Sequence, residues 1–227
     1  MTKEIRREVR LLFRIDPLPL ESPRGYLCRV AQEHHYIGPL SVIRPAGLPG
    51  VAVELGAGVD RLTHVLHLEP EQWRAMCYQH DKSRRRHNQR LFCGERISAD
   101  DLNYGSPRLC SGCLRERPIW WAVWDLGLVT ACPIHECLLF DRCPTCRRTL
   151  AWQRLAVHQC RCGLDFRDLA MEPADNELVA INAAIYRAAG FAPGDAAEIA
   201  LASCGFPAEL LELPLGALVR VVLFLGC

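Results

Sequence analysis

The stretch CPIHECLLFDRCPTC, residues 132–146, contains two pairs of side chains that commonly ligate zinc. Cys132 and His135 form the first pair, and Cys143 and Cys146 form the second. Two residues separate the members of each pair, a gap that lets one tight turn direct both side chains at the same ion. The stretch therefore predicts either two halves of one zinc site or one half of each of two sites.

Two further pairs flank this stretch, so that four pairs supply eight ligands, enough for two tetrahedral zinc ions. A serial arrangement and a crossed, RING-like arrangement are both conceivable. The seven residues between the second and third pairs fit a RING poorly and favour the serial arrangement. In it, the first ion is held by Cys110, Cys113, Cys132 and His135, and the second by Cys143, Cys146, Cys160 and Cys162.

Each predicted ion has four protein ligands and therefore lacks the open position that zinc catalysis needs. The sequence thus predicts two structural Zn²⁺ ions, no catalytic residues and no enzymatic activity. Cys137 breaks the spacing, and we expect it to be a packed thiol. For Trp124 we expect packing over the zinc region, whereas Trp120 and Trp121 could equally form a platform for base stacking.

Bulk properties limit the other possibilities. The chain has 227 residues, and its 27 Lys and Arg nearly balance 26 Asp and Glu, so any affinity for nucleic acid must come from local patches. An odd number of cysteines, 13, clustered in pairs, is typical of metal binding in a reducing compartment. The first residues lack the apolar core of a secretory signal, and the apolar C-terminal segment is too short to span a bilayer. We expect a cytoplasmic protein without a membrane partner.

The cysteine region resembles the zinc-binding core of TniQ proteins. Matching positions are Cys110, Cys113, Leu114, Trp124, Cys132, Pro133, His135, Leu139, Cys143, Pro144, Cys146, Cys160, Cys162 and Gly163. Near the start, PLPLESPRGYLCRVA is similar to the opening motif of that family, at Pro17, Pro19, Glu21, Ser22, Tyr26, Leu27, Arg29 and Ala31. The chain departs from the family pattern at Pro23 (usually Leu), Gly25 (Ser), Ser111 (Pro) and Arg147 (Gly).

The resemblance implies a non-enzymatic adaptor in bacterial DNA transposition. Such a protein links a target-recognition complex, either a DNA-binding domain or a CRISPR effector, to an AAA+ regulator that recruits the transposase. Further implications are DNA as a partner, a homodimer as one oligomeric state, and association with the nucleoid during action. The alternatives are a zinc-dependent DNA-binding transcriptional regulator and a RING-like protein-interaction module.

Two short helices around a turn are predicted within residues 60–81, in the outline of a helix-turn-helix. We expect Asp60 to cap the first helix and Pro70 to begin the second. Arg74 on the second helix, followed by Arg84, Arg85 and Arg86, is the candidate nucleic-acid contact, although a solvated basic loop would give the same pattern. A second basic group could extend this surface: Arg115, Arg117, Arg147, Arg148, Arg154, Arg161 and Arg167.

The predicted fold is mainly α with small zinc-ribbon β elements. It comprises an N-terminal helix-turn-helix-like domain (1–105), tandem zinc ribbons (106–168) and C-terminal helices (169–227). Ser22 followed by Pro23 predicts the start of the first helix. In the last region we expect one helix ending near Gly190, one within residues 193–205, and two split at Pro214. The chain ends directly after an apolar helix, as a short family member or a truncated chain would.

Overall fold

A computed structural model describes residues 10–48, 55–80, 88–103, 105–192, 199, 201–205 and 207–225. These residues form mainly helices, joined by loops and two small antiparallel sheets, which confirms the predicted fold class. Across the described ranges, no helix combines the length and hydrophobicity that crossing a bilayer requires. Part of the predicted second C-terminal helix, within residues 193–205, and Arg84, Arg85 and Arg86 lie outside the described residues.

Four helices form the N-terminal core. They are α1 (Pro23–Glu33), α2 (Leu40–Ile43), α3 (Val59–Leu66) and α4 (Pro70–Met76). α1 buries one face through Tyr26, Leu27, Val30 and Ala31, and Tyr26 packs near the fully buried Trp73 of α4. The apolar spacing of the sequence therefore produces the helix that closes this core.

The predicted helix starts are confirmed for α1 and α4 and wrong for α3. Ser22 occupies the N-cap position of α1 and Pro23 begins the helix, as predicted, although the Ser22 hydroxyl makes no capping hydrogen bond and donates to the Asp125 carboxylate. α3 is preceded by Gly58 in the left-handed conformation, φ 63°, and Asp60 lies in its first turn rather than at the cap. Pro70 begins α4 as predicted.

A β-hairpin follows, with β1 (Gln89–Phe92) pairing with β2 (Glu95–Ser98). The connecting residues Cys93 and Gly94 both have positive φ, 49° and 84°, as expected for the tight turn whose twist matches that of the strands. Gly216 of the last helix packs so closely on β2 that an added Cβ would lie 2.0 Å from the Arg96 carbonyl oxygen.

The cysteine region lies between the hairpin and the C-terminal helices. Its regular elements are α5 (Ser111–Glu116), β3 (Ala131–Cys132) and β4 (Cys137–Leu138), with short 3-10 helices at Ala122–Asp125 and Phe166–Asp168. A second core cluster contains side chains from this region, the hairpin and the C-terminal helices. The part of the cysteine region that contains α5, β3 and β4 is therefore packed within the core.

The C-terminal helices are α6 (Asn176–Ala188), α7 (Ala208–Leu211) and α8 (Leu215–Leu225). Asp175 caps α6 by accepting a hydrogen bond from the Leu178 amide, and Gly190 follows its end with φ 82°. Pro214 separates α7 from α8, as predicted. Asn182 of α6 accepts hydrogen bonds from the amides of Thr130 and Ala131, which fixes the helix against β3.

Candidate metal centres

The structure brings the eight predicted ligands together in two groups, and the grouping is the serial one. Cys110, Cys113, Cys132 and His135 form the first group, and Cys143, Cys146, Cys160 and Cys162 form the second. Within each group all donor atoms lie within 4.8 Å of one another. Each group could therefore hold one metal ion.

The donor separations fit tetrahedral zinc. With Zn–S bonds of about 2.3 Å, tetrahedral geometry places neighbouring sulfurs about 3.8 Å apart. In the first group, the Sγ atoms of Cys113 and Cys132 are 3.5 Å apart, and His135 Nδ1 lies 3.4 Å from Cys113 Sγ. In the second group, the Sγ distances are 3.6 Å for Cys143–Cys162 and 3.8 Å for Cys146–Cys160.

Local backbone geometry builds the first group. Cys110 is the N-cap of α5 and Cys113 lies one turn later, while Cys132 ends β3 and His135 stands in the turn that leads to β4. Gly112 makes room for the imidazole, because a Cβ there would lie 2.3 Å from His135 Cδ2. A glycine in the Cys-x-x-Cys turn is therefore required by the histidine of the other pair.

Zinc binds the thiolate form of cysteine, and one thiol in each group has a lowered pKa. Hydrogen bonds from neighbouring thiols, that of Cys113 foremost, lower the pKa of Cys110. In the second group, the backbone N–H of Leu164 is the main cause that lowers the pKa of Cys162 to about 7. Each group thus contains at least one sulfur whose ionised form the protein stabilises.

The two groups differ in burial. Cys110, Cys113 and Cys132 are buried in the central core, and Trp124 nearby donates a 2.7 Å hydrogen bond to the hydroxyl of Tyr186 on α6. In the second group Cys143 is buried, whereas Cys162 is exposed. The first group therefore lies inside the fold and the second at its surface.

The Cys137 thiol lies directly beside the first metal group, which its spacing in the sequence does not indicate. Its Sγ lies 3.6 Å from that of Cys110, and the residue is only 2% exposed. It is a packed thiol next to the site and is not among the four donors that approach one another.

Glu116 is a functional candidate that sequence reasoning missed. Its Oε1 lies 3.0 Å from His135 Nε2, so the imidazole can direct Nδ1 at the three sulfurs while Nε2–H donates to the carboxylate. A carboxylate in this position fixes the tautomer of a ligating histidine and increases its basicity. The spacing of Glu116 from the cysteines gives no sign of this role, which depends on the turn that contains His135.

We expect Glu116→Gln to weaken metal binding at the first group by about tenfold, because the amide is a poorer acceptor for the imidazole N–H. Competition with a chromophoric chelator measures the loss for each of the two ions. Glu172→Gln makes the same charge change at an exposed residue and should leave both affinities unchanged. Equal affinities for Glu116→Gln and the unaltered chain would contradict the assigned role.

The predicted nucleic-acid contacts are only partly within the described residues. Arg74 is half-exposed and lies 3.0 Å from Glu71 and 4.0 Å from Asp60, so neighbouring carboxylates share its charge. In the second basic group Arg154 is buried and does not extend an exposed surface, whereas the half-exposed Arg167 pairs with Asp165. The remaining members are exposed: Arg115, Arg117, Arg147, Arg148 and Arg161.

The tryptophans between the two ligand pairs of the first metal group are packed. Trp120 and Trp124 are 0% and 1% exposed, and their rings meet edge to face. Trp121 is partly buried against Phe191. In this fold the faces of Trp120 and Trp124 are closed to a nucleic-acid base.

A sequence model of the TniQ family matches residues 12–139, more than half of the chain. The chain belongs to the TniQ family. The match contains the opening motif and the whole first metal group, and it ends before the second group. Membership implies a role associated with transposition in a family of non-catalytic accessory proteins. A sequence comparison with curated proteins found no match.

Proposed function

We propose that this TniQ protein is a non-enzymatic adaptor of DNA transposition. It would link a target-DNA recognition complex, formed by a DNA-binding domain or a CRISPR effector, to an AAA+ regulator and through it to the transposase. The observation that carries the proposal is the family match over residues 12–139. An adaptor acts by raising the effective concentration of one partner beside another, and for this it needs two rigid surfaces rather than a reactive centre.

The donor sets support a scaffolding role for the metal. We infer that both groups bind Zn²⁺, because thiolate and imidazole donors at these separations suit zinc. Four protein donors would saturate each ion and leave no position for a substrate. The ions would therefore stabilise the central region on which the N-terminal and C-terminal helices pack.

The N-terminal helices are the proposed docking surface, and their helix-turn-helix-like pair is the proposed nucleic-acid element. A short turn around His67, φ 56°, joins α3 to α4. Arg74 is available on α4 if a phosphate displaces its carboxylate partners. Arg84, Arg85 and Arg86 remain proposed contacts on the basis of their charge.

The grouping of the donors argues against a RING-like module. A RING pairs the first with the third and the second with the fourth pair of ligands, whereas here adjacent pairs meet. A stand-alone transcriptional regulator would need a dimer that binds one operator without partners. Binding of one operator by the isolated chain would distinguish such a regulator from an adaptor.

The test is a pull-down on immobilised target DNA. It measures how much of an AAA+ regulator encoded by a neighbouring gene is retained. We expect the regulator and the transposase to be retained only when the zinc-loaded TniQ protein and its target-recognition partner are both present. Cys143→Ser replaces a sulfur of the second donor group by oxygen, and Cys28→Ser makes the same replacement outside both groups. Only Cys143→Ser should reduce recovery of the regulator. Tight binding of one DNA sequence by the isolated chain, without any recovery of a regulator, would support the transcriptional regulator instead.

A further inference from the structure

Residues 152–154 connect the second metal group to the N-terminal helices. They lie in the loop between the two ligand pairs of that group. The Gln153 side chain accepts a 3.2 Å hydrogen bond from the Leu40 amide at the start of α2 and donates one of 3.2 Å to the Ile37 carbonyl oxygen. A side chain from the metal-binding loop thus bonds to the backbone of the N-terminal core.

The two segments approach each other closely at this contact. Gly38 has a φ of 145°, and an added Cβ would lie 2.6 Å from Gln153 Nε2 and 3.0 Å from the Arg154 carbonyl oxygen. A side chain at position 38 would therefore push the segments apart. The conformation of the loop before α2 fits residues 152–154 because this position is a glycine.

Trp152 packs against α1 and against the tryptophans of the core. Its ring centroid lies 4.3 Å from that of Trp120, and the Arg24 guanidinium of α1 lies 5.6 Å from the Trp152 ring centroid. The Trp152 carbonyl oxygen accepts a 3.3 Å hydrogen bond from the Cys28 thiol, and Cys28 is 0% exposed. Trp152 therefore forms part of the wall that buries this thiol.

The second ion would determine how firmly residues 152–154 are held. Cys146 and Cys160 stand at the two ends of the loop, and their Sγ atoms are 3.8 Å apart, so a bound ion would close the loop. Cross-linking the ends of a loop of about 15 residues changes a folding equilibrium by about a hundredfold. Without the ion, the contacts of Trp152 and Gln153 would have to hold a much more flexible segment.

The second ion would also be the more accessible of the two. Cys162 is exposed, and Cys146 and Cys160 are half-buried, whereas all three cysteines of the first group are buried. A chelator or a competing metal-binding protein would therefore reach the second ion before the first.

We propose that residues 152–154 form a zinc-dependent latch on the N-terminal helices. Binding of the second ion holds the latch against α1 and the start of α2, and loss of this ion releases the latch while the first ion stays bound. The latch rests on two parts of the proposed function, namely zinc in the second group and a docking surface on the N-terminal helices. The second ion thereby regulates this docking surface, which gives a reason for the lower recovery of the regulator expected for Cys143→Ser.

The experiment uses the Cys28 thiol of the zinc-loaded full chain as a reporter of the latch. Burial raises the pKa of this thiol to about 12, so the docked form reacts slowly with alkylating reagents. We expect Cys162→Ser, which removes an exposed ligand and one zinc equivalent, to accelerate alkylation of Cys28 by N-ethylmaleimide by about tenfold or more. Peptide mass spectrometry measures each cysteine separately. Cys204→Ser makes the same atom change outside both donor groups and should leave the rate unchanged.

Gln153→Ala should release the latch without removing a metal ligand. It deletes both hydrogen bonds to the loop before α2, so we expect about fivefold faster alkylation of Cys28 with two zinc equivalents retained. The Leu40 amide should exchange its hydrogen faster in this variant and in Cys162→Ser, because it loses its acceptor in both. Recovery of the AAA+ regulator should fall for Gln153→Ala as well.

Cys77 is the internal control for unfolding of the N-terminal core. It is 5% exposed and belongs to a core cluster of which no described member lies in the latch, so its alkylation should stay slow in both variants. Equal acceleration at Cys77 would overturn the latch, and so would unchanged alkylation of Cys28 after loss of one zinc equivalent from Cys162→Ser. Full recovery of the regulator by Gln153→Ala with a released latch would also overturn it. An unaltered chain without zinc in the second group would refute the proposed metal centre together with the latch, so the two failures are distinguishable.

Discussion

Cys132→Ser is expected to unfold most of the chain, whereas Cys143→Ser should unfold only the second ribbon. Structural zinc contributes about 10–16 kcal/mol to the folding of small zinc domains, as much as the whole stability of a typical protein. Cys132 is 0% exposed in the core cluster that also contains Trp124 and Tyr186. Loss of the first ion would therefore unfold the first metal group and also remove the support of the C-terminal helices.

The second metal group is less buried than the first. Cys146 and Cys160 are half-buried and Cys162 is exposed, so fewer core contacts depend on this ion. Elemental analysis should find one of two zinc equivalents lost from each variant. Circular dichroism should show a large loss of helix for Cys132→Ser and a small loss for Cys143→Ser.

Cys28→Ser is the matched control for this pair. Cys28 is also fully buried, and its thiol donates to the Trp152 carbonyl oxygen, a bond that a serine hydroxyl can keep. We expect both zinc equivalents and most of the helix content to remain. If all three variants kept two equivalents, or if Cys132→Ser and Cys28→Ser lost the same amount of structure, the role of the first group would be refuted.

The sequence could predict the donor groups because their information is local. A two-residue gap determines how far apart two ligands of one turn can lie, and seven residues between pairs disfavour a crossed arrangement. The helix faces of α1 and the split at Pro214 follow from equally local rules, apolar spacing and the missing amide of proline.

Tertiary packing decides the features that the sequence could not reveal. Glu116 serves His135 only because two distant turns meet, and Arg154 is buried only because Trp120 and Phe166 stack on it. Arg147 stands where the family pattern usually has glycine and has φ 56°, a left-handed conformation that is unfavourable for a side chain. Ser22 is a further example, because its hydroxyl donates to a partner about 100 residues away that local rules do not reveal.

That partner is Asp125, and its replacement by alanine is expected to destabilise the fold by about 2–4 kcal/mol. The carboxylate is 2% exposed and its Oδ2 accepts hydrogen bonds of 2.7 Å from the Ser22 hydroxyl and 2.6 Å from the Tyr78 hydroxyl. Burial, followed by the charge of Asp125, raises the pKa of Tyr78, so the phenol stays protonated and remains a donor. Alanine would leave both hydroxyls buried without this acceptor.

The contact joins parts of the chain that are far apart in sequence. Ser22 precedes α1, Tyr78 follows α4, and Asp125 ends the 3-10 helix between the two ligand pairs of the first metal group. The Ser22 amide also donates to the Trp120 carbonyl oxygen, and an added Cβ at Gly25 would lie 2.3 Å from Trp120 Cβ. Asp125 therefore holds the N-terminal helices against the metal-binding region at a place where the backbones lie close together.

Urea unfolding of the zinc-loaded chain measures the effect. Tyr78→Phe removes one hydroxyl and leaves Asp125 bound to Ser22, so we expect a smaller loss of about 1–2 kcal/mol. In the double variant, the loss should be less than the sum of the two single losses, because alanine at position 125 has already removed the acceptor of the phenol. Losses that add, or an Asp125→Ala change below about 0.5 kcal/mol, would show that the carboxylate does not join these segments.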